Sequence, residues 1–193
     1  MFAVLYRHLG LTLNLDCHDS TKPYDGSDSR NQFIHAVLMD GHPATCCTAP
    51  VIFAALGRRL GFPIKLAKTR QHIYCRLDDP NGECFNIEAT NQGYYRMADD
   101  DYRRWPKPVD EESIRRGGFL RSMTPRQELS VFLNLRAVVF LENLQPSESV
   151  EALYYACQVD PSEFFHYNHF KIATLIHRAQ NKSSKSLFVS ESA

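Results

Sequence analysis

A proline four residues after a cysteine, at the head of an apolar run, restricts this chain more than any other feature. Thr45-Cys46-Cys47-Thr48-Ala49-Pro50 leads into Val51-Ile52-Phe53-Ala54-Ala55-Leu56, then Gly57-Arg58-Arg59-Leu60-Gly61-Phe62-Pro63. Residues 51–56 are apolar on every face, the pattern of a helix buried in the middle of a domain. Gly61 and Pro63 stop it, and Arg58 and Arg59 suit the negative end of its dipole. The ring of Pro50 would clash with the carbonyl of Cys46, so Cys46 belongs at or just before the first turn. Unpaired amides and the positive dipole end lower a thiol pKa there and can donate to an oxyanion. Cys46 is therefore a candidate nucleophile. The ordinary alternative is that Cys46 and Cys47 simply fill the core.

A nucleophile needs a base, and the next segment offers one. Ile64 to Thr69 and His72 to Leu77 each alternate as strands do, Asp78-Asp79-Pro80-Asn81-Gly82 reads as a turn, and Glu83 to Ala89 forms a third run. A five-residue loop over 78–82 sets His72 opposite Glu88 and Tyr74 opposite Asn86. His72, Tyr74, Asn86 and Glu88 then share one face, while Ile73, Phe85 and Ile87 point into a core. An imidazole held by a carboxylate is the base and orienter that a thiol requires. Asn86, on the same face, is the alternative orienter. Gln71, Tyr74 and His42 are candidate walls of the cleft. A zinc site from His72, Cys75, Cys84 and Cys46 or Cys47 is the competing use of these residues. Strand positions three apart point to opposite faces, however, so no metal or cofactor is expected.

These residues resemble the transglutaminase-like superfamily, relatives of the papain-type cysteine peptidases. That family sets its nucleophile before a buried helix, then a histidine strand, then a strand ending in an acid, a small residue and Thr. The matching pieces are Cys46, the helix through Gly61-Phe62-Pro63, His72, and Glu88-Ala89-Thr90. The family spacing of fifteen positions from nucleophile to the Gly of the Leu-Gly element selects Cys46 over Cys47. The wider string, extending to Tyr102-Arg103-Arg104-Trp105-Pro106, is similar to a bacterial branch and covers about residues 30–106. The resemblance implies an α+β, papain-like core, with a central buried helix packed on an antiparallel sheet. It also implies a Cys46–His72–Glu88 triad that attacks peptide or glutamine-type amides, the thioester being resolved by water or an amine. Glu88 departs from the usual Asp by one methylene. The alternative implied function is a non-catalytic protein-binding module on the same scaffold.

Beyond the core over 1–125, residues 126–193 read as a helical extension. Leu129, Phe132, Leu133, Arg136, Val139 and Phe140 recur at helical spacing, and Pro146 and Pro161 divide the region into about three helices. Glu151 to Pro161 resembles the end of a tetratricopeptide helix, and Asn134 and Asn168 stand 34 positions apart, that repeat's length. This piece is the expected site for a protein partner, and the tail after Asn181 reads as frayed. Residues 91–125 read as loop. His18, His35, His166, His169 and His177 read as surface or capping residues, and Cys17 and Cys157 as core filler. Composition narrows the partners. Twenty-two basic and 22 acidic side chains cancel, which argues against nucleic acid bound through bulk charge. No apolar run is long enough for a membrane span, and Arg7 and His8 interrupt anything like a signal peptide. Six cysteines without a secretion signal make reduced thiols in a cytoplasm the expectation, and the family resemblance implies a protein or peptide substrate.

Overall fold

The computed structural model describes residues 1–14, 16, 25–91 and 95–190, without side chains for 182–190. Cys17, His18 and Tyr94 lie outside the described residues. The chain is an α+β protein that divides into two compact units, Met1–Pro125 and Arg126–Ala193. Helices are α1 (Ile34–Asp40), α2 (Ala49–Arg59), α3 (Asp99–Arg104), α4 (Glu111–Gly117), α5 (Pro125–Glu142), α6 (Pro146–Val159) and α7 (Phe164–Ser190). One antiparallel sheet of order β1-β2-β3 is built from β1 (Ile64–Thr69), β2 (His72–Asp78) and β3 (Cys84–Ile87).

The α2–β1–β2 segment carries the first unit. Pro50 is the second residue of α2, and Cys46, Cys47 and Thr48 form a turn ahead of it. Two threonines close that turn: Thr48 Oγ1 accepts from Thr45 N at 2.8 Å, and Thr45 Oγ1 accepts from Cys47 N at 3.1 Å. The helix buries Ala49, Pro50, Phe53, Ala54 and Gly57, but Ala55 is exposed and Val51, Ile52 and Leu56 are half-buried. So α2 is not covered all round as its apolar run predicted. It packs on β1 and β2, and one sheet covers only one side of a helix. At its C-terminal end Arg58 Nε donates to Ile64 O at 2.7 Å, and a Cβ on Gly57 would meet Ile64 Cδ1 at 2.4 Å.

The hairpin register differs from the expected one. Arg76 pairs with Asn86 and Cys75 with Ile87, so the five-residue loop is 79–83 and Tyr74, not His72, stands across from Glu88. Asp79 decides this. Its carboxylate accepts from Asn81 N at 2.9 Å and its carbonyl from Gly82 N at 3.2 Å, closing the turn one residue late and leaving Asp78 in the strand. The displacement between partners is two residues, so every side chain keeps its face. Ile73 and Ile87 are buried as expected, and Phe85 is half-buried.

Two short helices occupy the region read as loop. Aspartates fill the first turn of α3 and arginines its last, and Asp110 caps α4 by accepting from Ser113 N at 2.8 Å. In the second unit Ala137, Ala152, Leu153 and Ala173 form the core between α5, α6 and α7. The backbone of α7 stays helical to Ser190, past the point where the tail was expected to fray. No helix among the described residues is long and apolar enough to cross a membrane.

Phe53 is 4% exposed and its ring lies 4.9 Å from that of Phe2. Phe53→Ala should therefore lower stability by about 3 kcal/mol. Urea denaturation followed by circular dichroism checks this.

Candidate functional site

Matched lengths bring the first two residues together. The 11 residues of α2 rise about 16 Å at 1.5 Å each. The six of β1 return about 20 Å at 3.3 Å each. A tight link over 60–63 joins them, so the turn ahead of α2 arrives at the tip of the β1–β2 hairpin. That tip is Arg70-Gln71, with Thr69 paired to His72 and Gln71 at φ 64, a left-handed conformation that a non-glycine residue adopts at a cost. Cys46 Sγ lies 4.0 Å from the Gln71 carbonyl, beside His72, whose ring is near enough to influence the thiol electrostatically.

The third residue follows from strand parity. His72 Nε2 lies 2.8 Å from Glu88 Oε2, and both side chains are buried. A carboxylate only accepts, so Nε2 carries the proton. Glu88 takes three more donors: the Tyr102 hydroxyl on Oε2 at 2.7 Å, and Thr90 N, at 2.9 Å, with the Thr90 hydroxyl on Oε1. These bonds hold the extra methylene of a glutamate in one conformation.

An aromatic layer seals the pair. The Tyr102 ring stacks on Tyr74 at 3.8 Å and 9°, and Trp105 meets His72 edge-on at 4.7 Å. Thr69 Oγ1 donates to Tyr102 O at 2.8 Å, and Arg76 forms an ion pair with Asp99, tying α3 to the sheet. Burial pushes the Tyr102 hydroxyl well above its ordinary pKa, and Glu88 adds to it, so Tyr102 stays a donor. Burial favours neutral His72, but its hydrogen bonds to Cys46 and Glu88 and the Glu88 charge outweigh this and raise it to about 9. Burial likewise opposes the Glu88 charge, yet His72 and Thr90 hold the carboxyl down at about 2. Cys46 goes against the helix-dipole expectation. Its hydrogen bond with Cys47 and its burial, at 4% exposure, push the thiol up, against a downward pull from His72. Desolvation of a thiolate outweighs half a charge at a helix end.

The remaining expected site residues are placed differently. Asn86 does not orient His72: Arg76 Nε donates to its Oδ1 at 2.7 Å, and its Nδ2 donates to Met97 O and Asp99. Tyr74 is 0% exposed beneath Tyr102, so it is a floor of the site and not a cleft wall. Gln71 contributes its carbonyl, while its side chain is exposed. His42 Nε2 bonds Asn31 Oδ1 at 3.0 Å, and the structure gives it no contact with the three central residues. Cys75 lies on the opposite face from His72, its thiol donating to Pro50 O at 3.2 Å, and Cys84 is exposed. In the second unit His166 is buried with Nε2 3.1 Å from Ser130 Oγ, and His169 is half-buried, so neither is a surface residue.

Two buried residues were missed in the sequence, and one of them, Tyr102, bonds directly to Glu88. Tyr102 had a signal, being part of the matched string, but nothing in spacing alone brings it to Glu88. Gln32 had none. It is 1% exposed with neither amide atom hydrogen-bonded, and it follows Asn31, whose carbonyl accepts the Thr45 hydroxyl at 2.6 Å. Compared with protein-family models, curated proteins and solved structures, the chain matches none.

The shifts set a stability window. His72, raised from 6.5 to about 9, stabilises fully below pH 6.5 and loses this as pH rises through about 9. Glu88, lowered from 4.5 to about 2, stabilises fully above pH 4.5 and loses this as pH falls through about 2. The difference in unfolding free energy between wild type and His72→Gln should therefore be largest between these limits and shrink on either side. Urea titrations across pH measure it. Tyr102→Phe keeps the ring stack but removes a donor from Glu88. The carboxylate then becomes more basic, and the His72 titration followed by NMR should move above its wild-type midpoint.

Proposed function

We propose that the chain is a transglutaminase-like cysteine acyl-transfer enzyme, with Cys46 as nucleophile, His72 as base and Glu88 as orienter. The observation that carries this reading is the buried His72–Glu88 pair, its carboxylate held by four donors, at the hairpin tip where Cys46 Sγ lies 4.0 Å from the Gln71 carbonyl. A helix on an antiparallel sheet, with the thiol ahead of that helix, supports the papain-like core that the sequence resemblance implies. A reducing, cytoplasmic setting suits unpaired cysteines.

The chemistry runs through this chain's own groups. Nε2 is engaged by Glu88, so Nδ1 receives the Cys46 proton as sulfur attacks the carbonyl carbon of an amide. The C–N bond breaks, His72 returns the proton to the departing amine, and a thioester remains. Water or a primary amine then attacks, giving its proton to His72, and the acid or new amide leaves as Cys46 regains its proton. Thr45 accepts from Cys47 N and Thr48 N, while Cys46 N has no hydrogen-bond partner among the described residues, which makes it the backbone donor for the oxyanion.

The raised His72 pKa gives the resting site an imidazolium beside a protonated thiol at neutral pH. Losing one proton from this pair creates the reactive form. One observation favours a second reading: Cys46 and His72 are each only 4% exposed, as in a non-catalytic module that binds partners elsewhere. On that reading the exposed Tyr154, Tyr155 and Tyr167 of the helical unit are the contact residues.

Labelling and trapping separate the two. Iodoacetamide should modify Cys46 before the other cysteines, at a rate that climbs from neutral pH and levels above about pH 9, and His72→Ala should abolish that preference. A glutamine peptide should leave an acyl adduct on Cys46 by mass spectrometry, cleared faster by a primary amine. Uniform labelling with no adduct at any pH supports the binding module.

A further inference from the structure

One buried thiol takes no part in the chemistry above. Cys47, at 6% exposure, directly follows Cys46, and neither residue is in a disulfide. The chain there is curled, not extended: Thr48 N and Ala49 N both donate to Thr45 O, at 3.2 and 2.9 Å, and Cys47 N donates to Thr45 Oγ1 at 3.1 Å. Successive side chains of an extended chain point to opposite faces, whereas in a helical turn they stand about 100° apart. The Cys47 thiol is the largest of the influences that push the Cys46 thiol up, so the two sulfurs are close enough to act on each other. Other thiols are worse placed. The Cys75 thiol donates to Pro50 O at 3.2 Å, Cys84 is exposed at the start of β3, and Cys157 belongs to the second unit.

A reactive thiolate is also open to oxidation. Its first product, a sulfenic acid, is reversible, and the next, a sulfinic acid, is not. A second thiol stops the sequence by condensing with the sulfenic acid, and one held beside its target needs no collision from solution. The bond that Cys46 and Cys47 would form is a strained one. Adjacent Cα atoms are about 3.8 Å apart, shorter than the usual disulfide span of about 4.4–6.8 Å. Such strain makes a disulfide easier to reduce, the property of a labile bond and not of a structural one.

We infer that Cys47 is the resolving thiol of Cys46: a hydroperoxide converts the pair into a reversible Cys46–Cys47 disulfide, which spares the nucleophile from sulfinic acid. This rests on the reading of Cys46 as the reactive thiol. In the first step the Cys46 thiolate attacks one peroxide oxygen. An S–O bond forms, the O–O bond breaks, and His72 gives a proton to the departing alkoxide or hydroxide. Sulfur thereby loses two electrons to the peroxide. In the second step the Cys47 sulfur attacks the Cys46 sulfur. The S–S bond forms, the S–O bond breaks, and the Cys47 proton leaves with the hydroxide as water. A dithiol reductant returns two electrons and two protons, restoring both thiols. Peroxide, close to water in size, needs no wider approach to Cys46, at 4% exposure, than the amide of the proposed reaction.

Hydrogen peroxide on the full chain, read by peptide mapping with mass spectrometry, tests this. In the wild type the peptide holding both residues should lose two hydrogens, and dithiothreitol should restore it together with iodoacetamide labelling of Cys46. In Cys47→Ala and Cys47→Ser, whose fold circular dichroism checks, dimedone should capture a sulfenic acid on Cys46. Without dimedone Cys46 in these variants should gain two oxygens, and dithiothreitol should recover no labelling. A Cys46 bond to Cys17, Cys75 or any other cysteine overturns the inference. So does a wild-type Cys46 that stays reduced while Cys84 is oxidised, or that reaches sulfinic acid as fast as in the variants. The wild-type map decides even if neither variant folds. The acyl-transfer reading is judged apart: a Cys46–Cys47 bond without any substrate adduct sinks that reading alone, and an adduct on Cys46 with no effect of Cys47 on oxidation sinks the resolving role alone.

Discussion

A carboxylate buried in the interior with four donors is the constraint around which the first unit is arranged. An isolated buried charge would cost several kcal/mol. Glu88 is tolerable only because an imidazole, a phenol, a hydroxyl and an amide all reach it. The four donors come from three local devices, two of them from Thr90. His72 opens a strand, Tyr102 rides on a short helix capped by its own aspartates, and Thr90 follows two residues after Glu88. The Arg76–Asp99 ion pair and the Thr69 hydroxyl hold that short helix in place, so polar contacts far from the thiol fix the ring that serves it.

The thiol reaches this assembly by simple geometry. A helix and a strand of similar rise, joined by a tight link, must return the chain to where it began. Cys46 is therefore delivered to the hairpin tip whatever the details of the surrounding loops. Gln71 completes the approach by adopting a left-handed conformation there, which aims its carbonyl at the sulfur. The result is a thiol, an imidazole and a carboxylate gathered at one place and closed off from solvent.

The helical unit follows another logic. Small residues at Ala137, Ala152 and Ala173 let α5, α6 and α7 approach closely.

Much of the candidate site was legible because it depends on periodicity. Pro50 placed Cys46 ahead of a helix, and period-two alternation put His72 and Glu88 on one face. That relation survived a two-residue error in register, since an even shift preserves parity. What sequence pattern could not supply were the relations across chain segments. Asp79, by closing the turn late, exchanged Tyr74 for His72 opposite Glu88, and Arg76 rather than His72 claimed Asn86. The sequence by itself determined the local elements and the faces of their residues, because backbone sterics and side-chain alternation act within a few positions. Only the tertiary structure decided that Tyr102 meets Glu88, that Cys46 is buried deeply enough to raise its pKa, and that Gln32 is left unpaired. Burial and hydrogen-bond competition are set by groups distant in the chain.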